Sequence, residues 1–516
     1  MDPSDKVITT LRDRLALAGQ VDALMGVRPE DKFLAQARCI AESGEQVIPV
    51  ILRRLSYADP RQLNVLGVVA SMYPRREQIL NKLEEVAVDT GRSDRERVSA
   101  MLILERFLDR EPDAYALHTL DDPRAVAVES VRDLIRTSEQ EPSVLLQYTR
   151  ALAEQPADAI VGVVETMVEV AAEGAVPALI LMAQAENEAM SAAALRALGQ
   201  IRHPDATRGL QGLLAMLPSA QHAAAERSLR KLRFSGMGVE PLFPVDTAWR
   251  ALVSPIDGQG SRIVWFIHDA AADEHCWFLG LVLGDGEGFA QAYGSHEVPA
   301  CALPQRQAKG HVHRISTQAA TPWEERARKD SSFMYLLETD VAYARRLVQD
   351  AQDQHLALGK ALPDAYRLLG SVLWQYEMAR PAALVPLGAD LGQAMRLLPG
   401  TASLPYHPYF RGWFVEGEQV TEIARSLVRF TQFAEREAVR TWAARLVQDC
   451  FDELSLERMA CRLHDVSEWL WRAKEVQLAE LTLAAAETVT RVPPAEHPFL
   501  LSMAELGLDL GMHSLL

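Results

Sequence analysis

The hydrophobic positions between residues 30 and 234 recur with the spacing of short amphipathic helices. In the segment Glu186–Ile201 they fall at i, i+4, i+7, i+8 and i+11, which places them on one helical face. Pro204 follows and disfavours helical backbone angles at His203, so this helix is expected to end there. Helices this short are not stable alone, and each therefore needs a neighbour to cover its apolar stripe.

The same pattern returns along the chain at intervals of roughly 30 residues, which is typical of a helical solenoid. Six helices have the character of second members of helix pairs, and they start near Asp59, Asp94, Asp122, Pro156, Glu186 and Ser219. Two of them open identically, with the Asp-Pro-Arg triplets that begin at Asp59 and Asp122. The sequence therefore predicts an array of stacked helix pairs.

Two of these segments resemble a known repeat family. Residues 121–135 (DDPRAVAVESVRDLI) and 186–201 (ENEAMSAAALRALGQI) are similar to the second helices of HEAT-like repeats. The resemblance covers roughly residues 30–234 and implies an α-solenoid, but it implies little about function. The turn Asp and second-helix Arg that are usual in that family occur irregularly here, which puts an ordered Asp–Arg ladder in doubt. A helical domain without true repeats is the alternative.

Between residues 237 and 320 the pattern changes to short runs rich in aromatic and β-branched residues, which are typical of strands. Strands are predicted at Trp249–Ser254, Arg262–His268 and Cys276–Leu283, with a fourth at His311–Ser316. A short helix is predicted around Phe289–Tyr293. This segment is therefore expected to be a small α+β domain with an antiparallel sheet.

From residue 321 to 516 the pattern is helical again, without a regular period. Helices are predicted at Asp340–Leu358, Pro363–Met378, Thr421–Leu454, Leu456–Thr490 and Phe499–Leu510. The aromatic segment Leu404–Phe414 is expected to be a loop packed over the helices, or alternatively a partner-binding loop. The predicted class is mostly α, with a HEAT-like array at 1–236, an α+β domain at 237–320 and a helical domain at 321–516.

The net charge of the chain bears on which class of partner it can bind. The 516-residue chain has a formal net charge of −17, and the acidity is spread over all three predicted domains. Nucleic-acid binding usually requires a basic footprint, so nucleic acid is a disfavoured partner. One local cluster of cations stands out, formed by Arg227, Arg230, Lys231 and Arg233. It is interpreted as a solvated helix face with cations at the favourable C-terminal end, and nucleic-acid binding through the array is kept as an alternative.

Cysteine usage and hydropathy bear on the compartment. The five cysteines are odd in number and scattered, so a disulfide framework is not expected and a reducing compartment is favoured. No run of eighteen or more uncharged apolar residues occurs, and the N-terminal segment has charges threaded through its apolar positions. The expectation is a cytoplasmic protein without a membrane span.

The motifs that carry chemistry are weak. The sequence lacks GxSxG, HExxH and GxGxxG patterns, and the glycine-rich segment 284–288 (GDGEG) lacks the lysine of a phosphate-binding loop. His311 and His313 share a strand face that zinc could use, and Cys450, Cys461 and His464 could meet across a helical hairpin. Neither set has a complete group of ligands at family-like spacing. No catalytic, cofactor-binding or metal-binding residue is therefore assigned.

The function that this architecture favours is protein–protein binding, as a scaffold or regulatory protein that uses the solenoid surface. The partner is expected to be another protein, and the oligomeric state is left open. The alternative is a hydrolase with its site between the sheet and the C-terminal helices, for which His311, His313 and Asp257 are the nearest candidates.

Overall fold

The computed structural model divides into two compact units, Met1–Glu240 and Pro241–Leu516. It describes residues 15–27, 30–110, 119–171, 174–237, 248–269, 274–316, 333–376, 390–410, 412–430 and 436–514. Residues 238–247, which follow the first predicted domain boundary, lie outside this set, as does the predicted helix end at Met378. The fold is mostly helical with one antiparallel sheet in the second unit, as the sequence predicts.

The described part of the first unit is built from helices. They are α1 (15–24), α2 (Glu30–Ala41), α3 (Val47–Arg54), α4 (Pro60–Ser71), α5 (Arg76–Val88), α6 (Asp94–Leu108), α7 (Pro123–Gln140), α8 (Val144–Ala153), α9 (Ala157–Ala171), α10 (Val176–Ala183), α11 (Glu188–Leu198), α12 (Pro204–Leu214) and α13 (Ser219–Phe234). Helices α4, α6, α7, α9, α11 and α13 pack in succession and form one layer, which we call the second-helix layer. In the other layer α3 packs on α5, and α8, α10 and α12 pack in succession. The predicted second helices thus occupy a single layer.

Side-chain caps place the starts of the second helices where the sequence predicts them. The Asp59 carboxylate accepts a hydrogen bond from the backbone N–H of Gln62 at 2.8 Å, and the backbone N–H of Asp59 donates to the Gln62 side-chain oxygen at 3.2 Å. Asp122 caps α7 in the same way, by accepting from the backbone of Ala125 at 2.9 Å. Since the donors capped here have no partner within the helix, each cap fixes a helix start.

Hydrogen bonds between positions about one repeat apart tie successive helix pairs together. The Asn187 side chain donates to the carbonyl of Ala153, 34 residues earlier, at 3.0 Å. The Ser228 hydroxyl donates to the carbonyl of Leu195, 33 residues earlier, at 2.7 Å. These bonds use Asn and Ser side chains, so the packing in this part of the array does not depend on a regular Asp–Arg ladder.

The second unit contains a six-stranded sheet in the order β4-β3-β2-β1-β6-β5, with every neighbouring pair antiparallel. Its strands are β1 (Trp249–Val253), β2 (Ser261–His268), β3 (His275–Gly284), β4 (Gly288–Pro299), β5 (Val312–Ser316) and β6 (Phe333–Thr339). The predicted strands correspond to β1, β2, β3 and β5. One face of the sheet holds a core cluster that includes Leu252, Trp265 and Phe278.

Two sequence predictions in this unit are wrong. The helix predicted around Phe289–Tyr293 is part of β4, because Gly288 adopts a positive φ of 75° that closes a hairpin and aligns β4 with β3. The region after residue 321 is not helical throughout, because Phe333–Thr339 forms β6 between β1 and β5. In both cases strand pairing decides the conformation, locally across the β3–β4 hairpin and over about eighty residues between β1 and β6.

Helices complete the second unit. They are α14 (Val341–Ala357), α15 (Asp364–Leu369), α16 (Leu391–Leu397), α17 (Glu418–Phe430), α18 (Arg436–Cys450), α19 (Glu453–Arg472), α20 (Val476–Thr488) and α21 (Pro498–His513). Short 3₁₀ segments lie at Ala300–Ala302, Gly370–Gln375, Leu398–Tyr406, Pro408–Phe410 and Pro494–Glu496. Helix α14 packs on the sheet against β1, β2, β3 and β4.

The long helix predicted at 456–490 is divided into α19 and α20. The cause is Lys474, which adopts a left-handed φ of 65°, while the next backbone N–H bonds back to the carbonyl of Leu470 at 3.0 Å. The helix predicted at 421–454 corresponds to α17 and α18, and residues 431–435 between them lie outside the described set. The helix predicted at Pro363–Met378 is also shorter, because α15 gives way at Gly370 to a 3₁₀ segment. Among the described residues, no helix combines the length and the apolar character needed to cross a membrane.

Candidate binding surface

The second-helix layer carries an open groove of about 230 Å³ between α9 and α11. Val164 and Ala193 are buried at its floor, whereas Glu165 of α9 and Arg196 of α11 are exposed at its sides. Small side chains on α11 leave this space, because alanine covers less of the adjoining helix than a larger residue would. The groove therefore combines an apolar floor with charged walls, which is the usual composition of a protein-binding surface.

The groove is positioned by the cap of α11. Asn187 accepts a hydrogen bond from the backbone of Met190 at 3.1 Å and donates to the carbonyl of Ala153 at 3.0 Å. One side chain thus starts α11 and fixes it to the end of α8. On the other wall, Glu169 pairs with Arg124 of α7 at 2.8 Å, an exposed contact that contributes little to stability.

Charge is divided across three neighbouring helices of this layer. Helix α9 has three acidic residues, Asp158, Glu165 and Glu169, and its sequence contains no lysine or arginine. Helix α11 is balanced, with Glu188 and Arg196. Helix α13 has one acidic residue against four cations and is therefore basic. A partner that crosses the layer from α9 to α13 meets acidic side chains first and basic side chains last.

The cation cluster identified in the sequence lies on this surface. Arg227, Arg230 and Lys231 follow i, i+3, i+4 spacing and are all exposed on α13, and Arg233 is exposed beside them. The opposite side of α13 is buried through Ala225, Ser228, Leu229 and Leu232. Within the described part of the chain, none of the four cations forms an ion pair. The cluster is therefore a solvated face, and its charge is available to a partner.

The two histidines of the predicted zinc pair do meet on β5. The rings of His311 and His313 lie 4.8 Å apart, and His313 Nε2 lies 2.7 Å from a carboxylate oxygen of buried Glu338. The Arg250 guanidinium lies 3.5 Å from the same Glu338 carboxylate, and it also lies 3.0 Å from the carboxylate of Asp269. The sequence did not indicate this buried network, because it joins β1, β2, β5 and β6 through long-range pairing.

Asp257, the third residue of the hydrolase alternative, lies elsewhere. Its carboxylate accepts hydrogen bonds from the backbone of Gln259 at 3.0 Å and of Ser261 at 2.8 Å, in the turn between β1 and β2. This turn follows β1, and β6 lies between β1 and β5 in the sheet, so Asp257 and the two histidines belong to different parts of the sheet. The structure therefore brings the two histidines together but not Asp257.

No described group of three or more His, Cys, Asp or Glu side chains is arranged to hold a metal ion. In the helical hairpin, His464 lies 3.7 Å from Glu487, and Cys450 lies 3.7 Å from Gln419. All five cysteines are free thiols. Cys450 and His464 therefore each have another polar neighbour.

A charged network also lies where the sheet meets the C-terminal helices. Arg262 of β2 pairs with Asp465 of α19 at 3.0 Å, and Glu468 accepts from Arg346 at 2.7 Å and from Arg472 at 2.8 Å. Burial raises the pKa of the neighbouring Tyr343 to about 12, so its phenol stays neutral. The described arginines here are paired with carboxylates, and the network has the character of a structural junction.

The aromatic segment at 404–414 contributes to the core. Phe410 and Trp413 are fully buried and pack against Phe499, with the Trp413 and Phe499 rings 5.7 Å apart. The Trp413 indole donates to the carbonyl of Ile256 at 3.1 Å. These two residues are therefore not available as partner anchors, although Tyr406 remains exposed.

Comparisons with protein-family models, curated protein sequences and solved structures find no match for this chain. The resemblance to HEAT-like repeats therefore rests on the sequence pattern alone.

Proposed function

We propose that this protein binds another protein through the second-helix layer of its array and acts as a scaffold or regulatory subunit. The observation that carries the proposal is the ordered separation of charge across α9, α11 and α13, beside a groove with an apolar floor. Separated patches of opposite charge favour one orientation of a bound partner over others. The five free thiols favour the cytoplasm as the place of action.

Enzymatic function has less support. The three residues named for hydrolysis do not form one cluster, and the carboxylates of Asp269, Asp465 and Glu468 in the second unit are paired with arginines. By contrast, the groove walls on α9 and α11 are exposed and carry charges on both sides. A binding function therefore needs only the exposed charges and the apolar floor that the groove already has.

The test is affinity capture with the tagged full-length chain from the native cell extract, followed by mass spectrometry. The variant Glu165→Arg with Arg196→Glu exchanges the two wall charges without changing the net charge. The matched control, Glu42→Arg with Arg53→Glu, makes the same exchange between two exposed residues near the other end of the array.

We expect one protein to be retained in a fixed ratio by the wild type and the control and to be lost from the wall variant. The captured protein is then purified, and the stoichiometry of its complex is measured by light scattering. Retention of nothing at any salt concentration, or equal retention by the wall variant, would contradict the proposal.

A further inference from the structure

One side of α13 carries a cluster of exposed cations beside an exposed aromatic ring. We define the basic face as Arg227, Arg230, Lys231 and Phe234, which lie at i, i+3, i+4 and i+7 and are all exposed. The basic face is about 10 Å long, from the rise of a helix over seven residues. It is continuous with the charged surface of the second-helix layer because α13 packs on α11.

Phe234 gives the basic face an apolar end. Its side chain is 91% exposed, more than any other large apolar side chain in the described chain. An aromatic ring in water beside cations stabilises nothing within the fold, whereas aromatic and arginine side chains are the usual anchors of protein interfaces. The combination of three cations and an exposed ring indicates a ligand that carries both negative charge and apolar groups.

Close packing holds the basic face beside the groove. The Ser228 hydroxyl bonds to the carbonyl of Leu195 at 2.7 Å, and a Cβ on Gly199 would lie only 2.8 Å from the Ser228 Cβ. Arg196 follows Leu195 directly and is exposed, so it adds a fourth cation on the neighbouring helix. A ligand on the basic face can therefore extend over α11 toward the groove.

We propose that the basic face binds an acidic segment of a partner protein, with an apolar side chain of that segment packed on Phe234. This rests on the proposed function and names the chemistry of the partner. Glutamate and aspartate on the segment pair with the exposed cations, which in an acidic chain have no ion pair among the residues described.

The neighbouring charges favour a polypeptide over a nucleic acid. The acidic side chains Asp158, Glu165 and Glu169 of α9 lie beyond α11, and they would repel a phosphate backbone that continues across the layer. A phosphate backbone has uniform charge along its length, whereas a polypeptide can place acidic residues on α13 and neutral or basic residues over α9. Charge complementarity therefore favours a protein segment of mixed sequence.

The experiment measures fluorescence anisotropy with the full-length protein at physiological salt. The main probe is a labelled 16-residue peptide rich in Glu and Asp, with Leu or Phe at every fourth position. Comparison probes are the same peptide with Ser in place of Leu and Phe, the same peptide with Lys in place of the acids, and a 16-nucleotide single strand. Sedimentation with vesicles of phosphatidylcholine and phosphatidylserine tests a membrane surface.

Two variants test the basic face itself. Arg227→Glu, Arg230→Glu and Lys231→Glu together reverse its charge, and Phe234→Ala removes its ring. Because all four positions are exposed, the variants are expected to fold, which circular dichroism checks. We expect the charge reversal to weaken binding of the acidic peptide at least tenfold. We expect the ring deletion to weaken binding only of the peptide that contains Leu or Phe.

A matched control reverses three cations of the same unit outside the basic face, through Lys32→Glu, Arg38→Glu and Arg53→Glu. These residues are also exposed. The control changes the net charge by the same amount, so equal weakening in both triple variants would show that only overall charge matters and would overturn the inference. Stronger binding of the single strand or the vesicles than of the acidic peptide, or no binding of the peptide, would overturn it as well.

The outcome is separable from that of the proposed function. If affinity capture retains the same partner with the wild type and with the basic-face variant, the scaffold proposal stands and this inference fails. If no partner is retained but the acidic peptide binds through the basic face, the inference stands and the scaffold proposal fails.

Discussion

His497 provides a direct test of how burial controls ionisation in the second unit. It lies at the start of α21 with no exposed surface, and burial lowers its pKa from 6.5 to about 4. Its Nε2 lies 3.0 Å from the hydroxyl of Thr488, which itself donates to the carbonyl of Ala484 at 2.6 Å. Nε2 is therefore the donor, and the proton that acid adds must go to Nδ1, for which the described structure offers no acceptor.

The magnitude follows from the shift in pKa. Because the pKa is lower in the folded state than in the unfolded state, the unfolded chain binds the proton first as the pH falls below 6.5. The stability that neutral His497 provides is complete above pH 6.5 and is lost progressively toward pH 4. At pH 5 the loss is about 2 kcal/mol, and it approaches about 3 kcal/mol when the folded-state pKa is passed.

The assay is a nuclear magnetic resonance titration of the protein labelled at the histidine ring carbons. The variant His497→Gln assigns the resonance by its disappearance and keeps an amide donor for Thr488. We expect the assigned resonance to stay at its neutral position from pH 7.5 down to pH 5.5, while exposed histidines shift. A midpoint near 6.5 for this resonance would refute the reasoning, because it would show that protonation of the buried ring costs nothing.

Three substitutions test the packing in both units. Gly199→Val places a Cβ 2.8 Å from the Ser228 Cβ, so we expect the free energy of unfolding to fall by roughly 1–3 kcal/mol. The midpoint of urea unfolding measures this loss, and an unchanged midpoint would contradict it. Trp469→Phe removes a 2.7 Å hydrogen bond to the buried carbonyl of Val253 in β1, and we expect it to lower the free energy of unfolding by about 1–3 kcal/mol. Thermal unfolding measures the loss, with Trp471→Phe as the control at a more exposed position. Arg97→Met removes the donor to the buried carbonyl of Ala87 and to the partly buried carbonyl of Thr119. We expect a cost of about 3 kcal/mol, measured as faster amide hydrogen exchange in α6, and unchanged exchange would contradict this expectation.

The helical array could be predicted from the sequence because its signals are local. Asp59 and Asp122 cap helices through bonds to residues three positions later, and the apolar spacing of each helix is contained within it. The repeat interval then determines which helices share a layer. No long-range contact has to be known for this step.

The sheet could be predicted only in part. Strands β1 to β3 lie close together in the sequence, whereas β6 pairs with β1 from about eighty residues later. The apolar run of β6 could equally belong to a buried helix. The segment after Gly288 contains alanines and glutamine, which favour a helix, and pairing with β3 overrides that preference.

Only the α13 part of the candidate surface could be recognised in the sequence. The cations of α13 are close in sequence and form a recognisable cluster at Arg227, Arg230 and Lys231. The acidic residues of α9 are conspicuous only when α9, α11 and α13 are known to be neighbours in one layer. The order of charges is therefore a property of the fold.

The central claim is that the second-helix layer binds a protein, and site-specific photo-crosslinking tests it most directly. A photoreactive phenylalanine analogue replaces Gln200 beside the groove in one preparation of the full-length chain, and Gln147 on α8 of the other layer in a second. After irradiation in the native cell extract, the account predicts a defined adduct with one protein from position 200 and none from position 147. Adducts from position 147 alone, equal adducts from both, or no adduct from position 200 would contradict it.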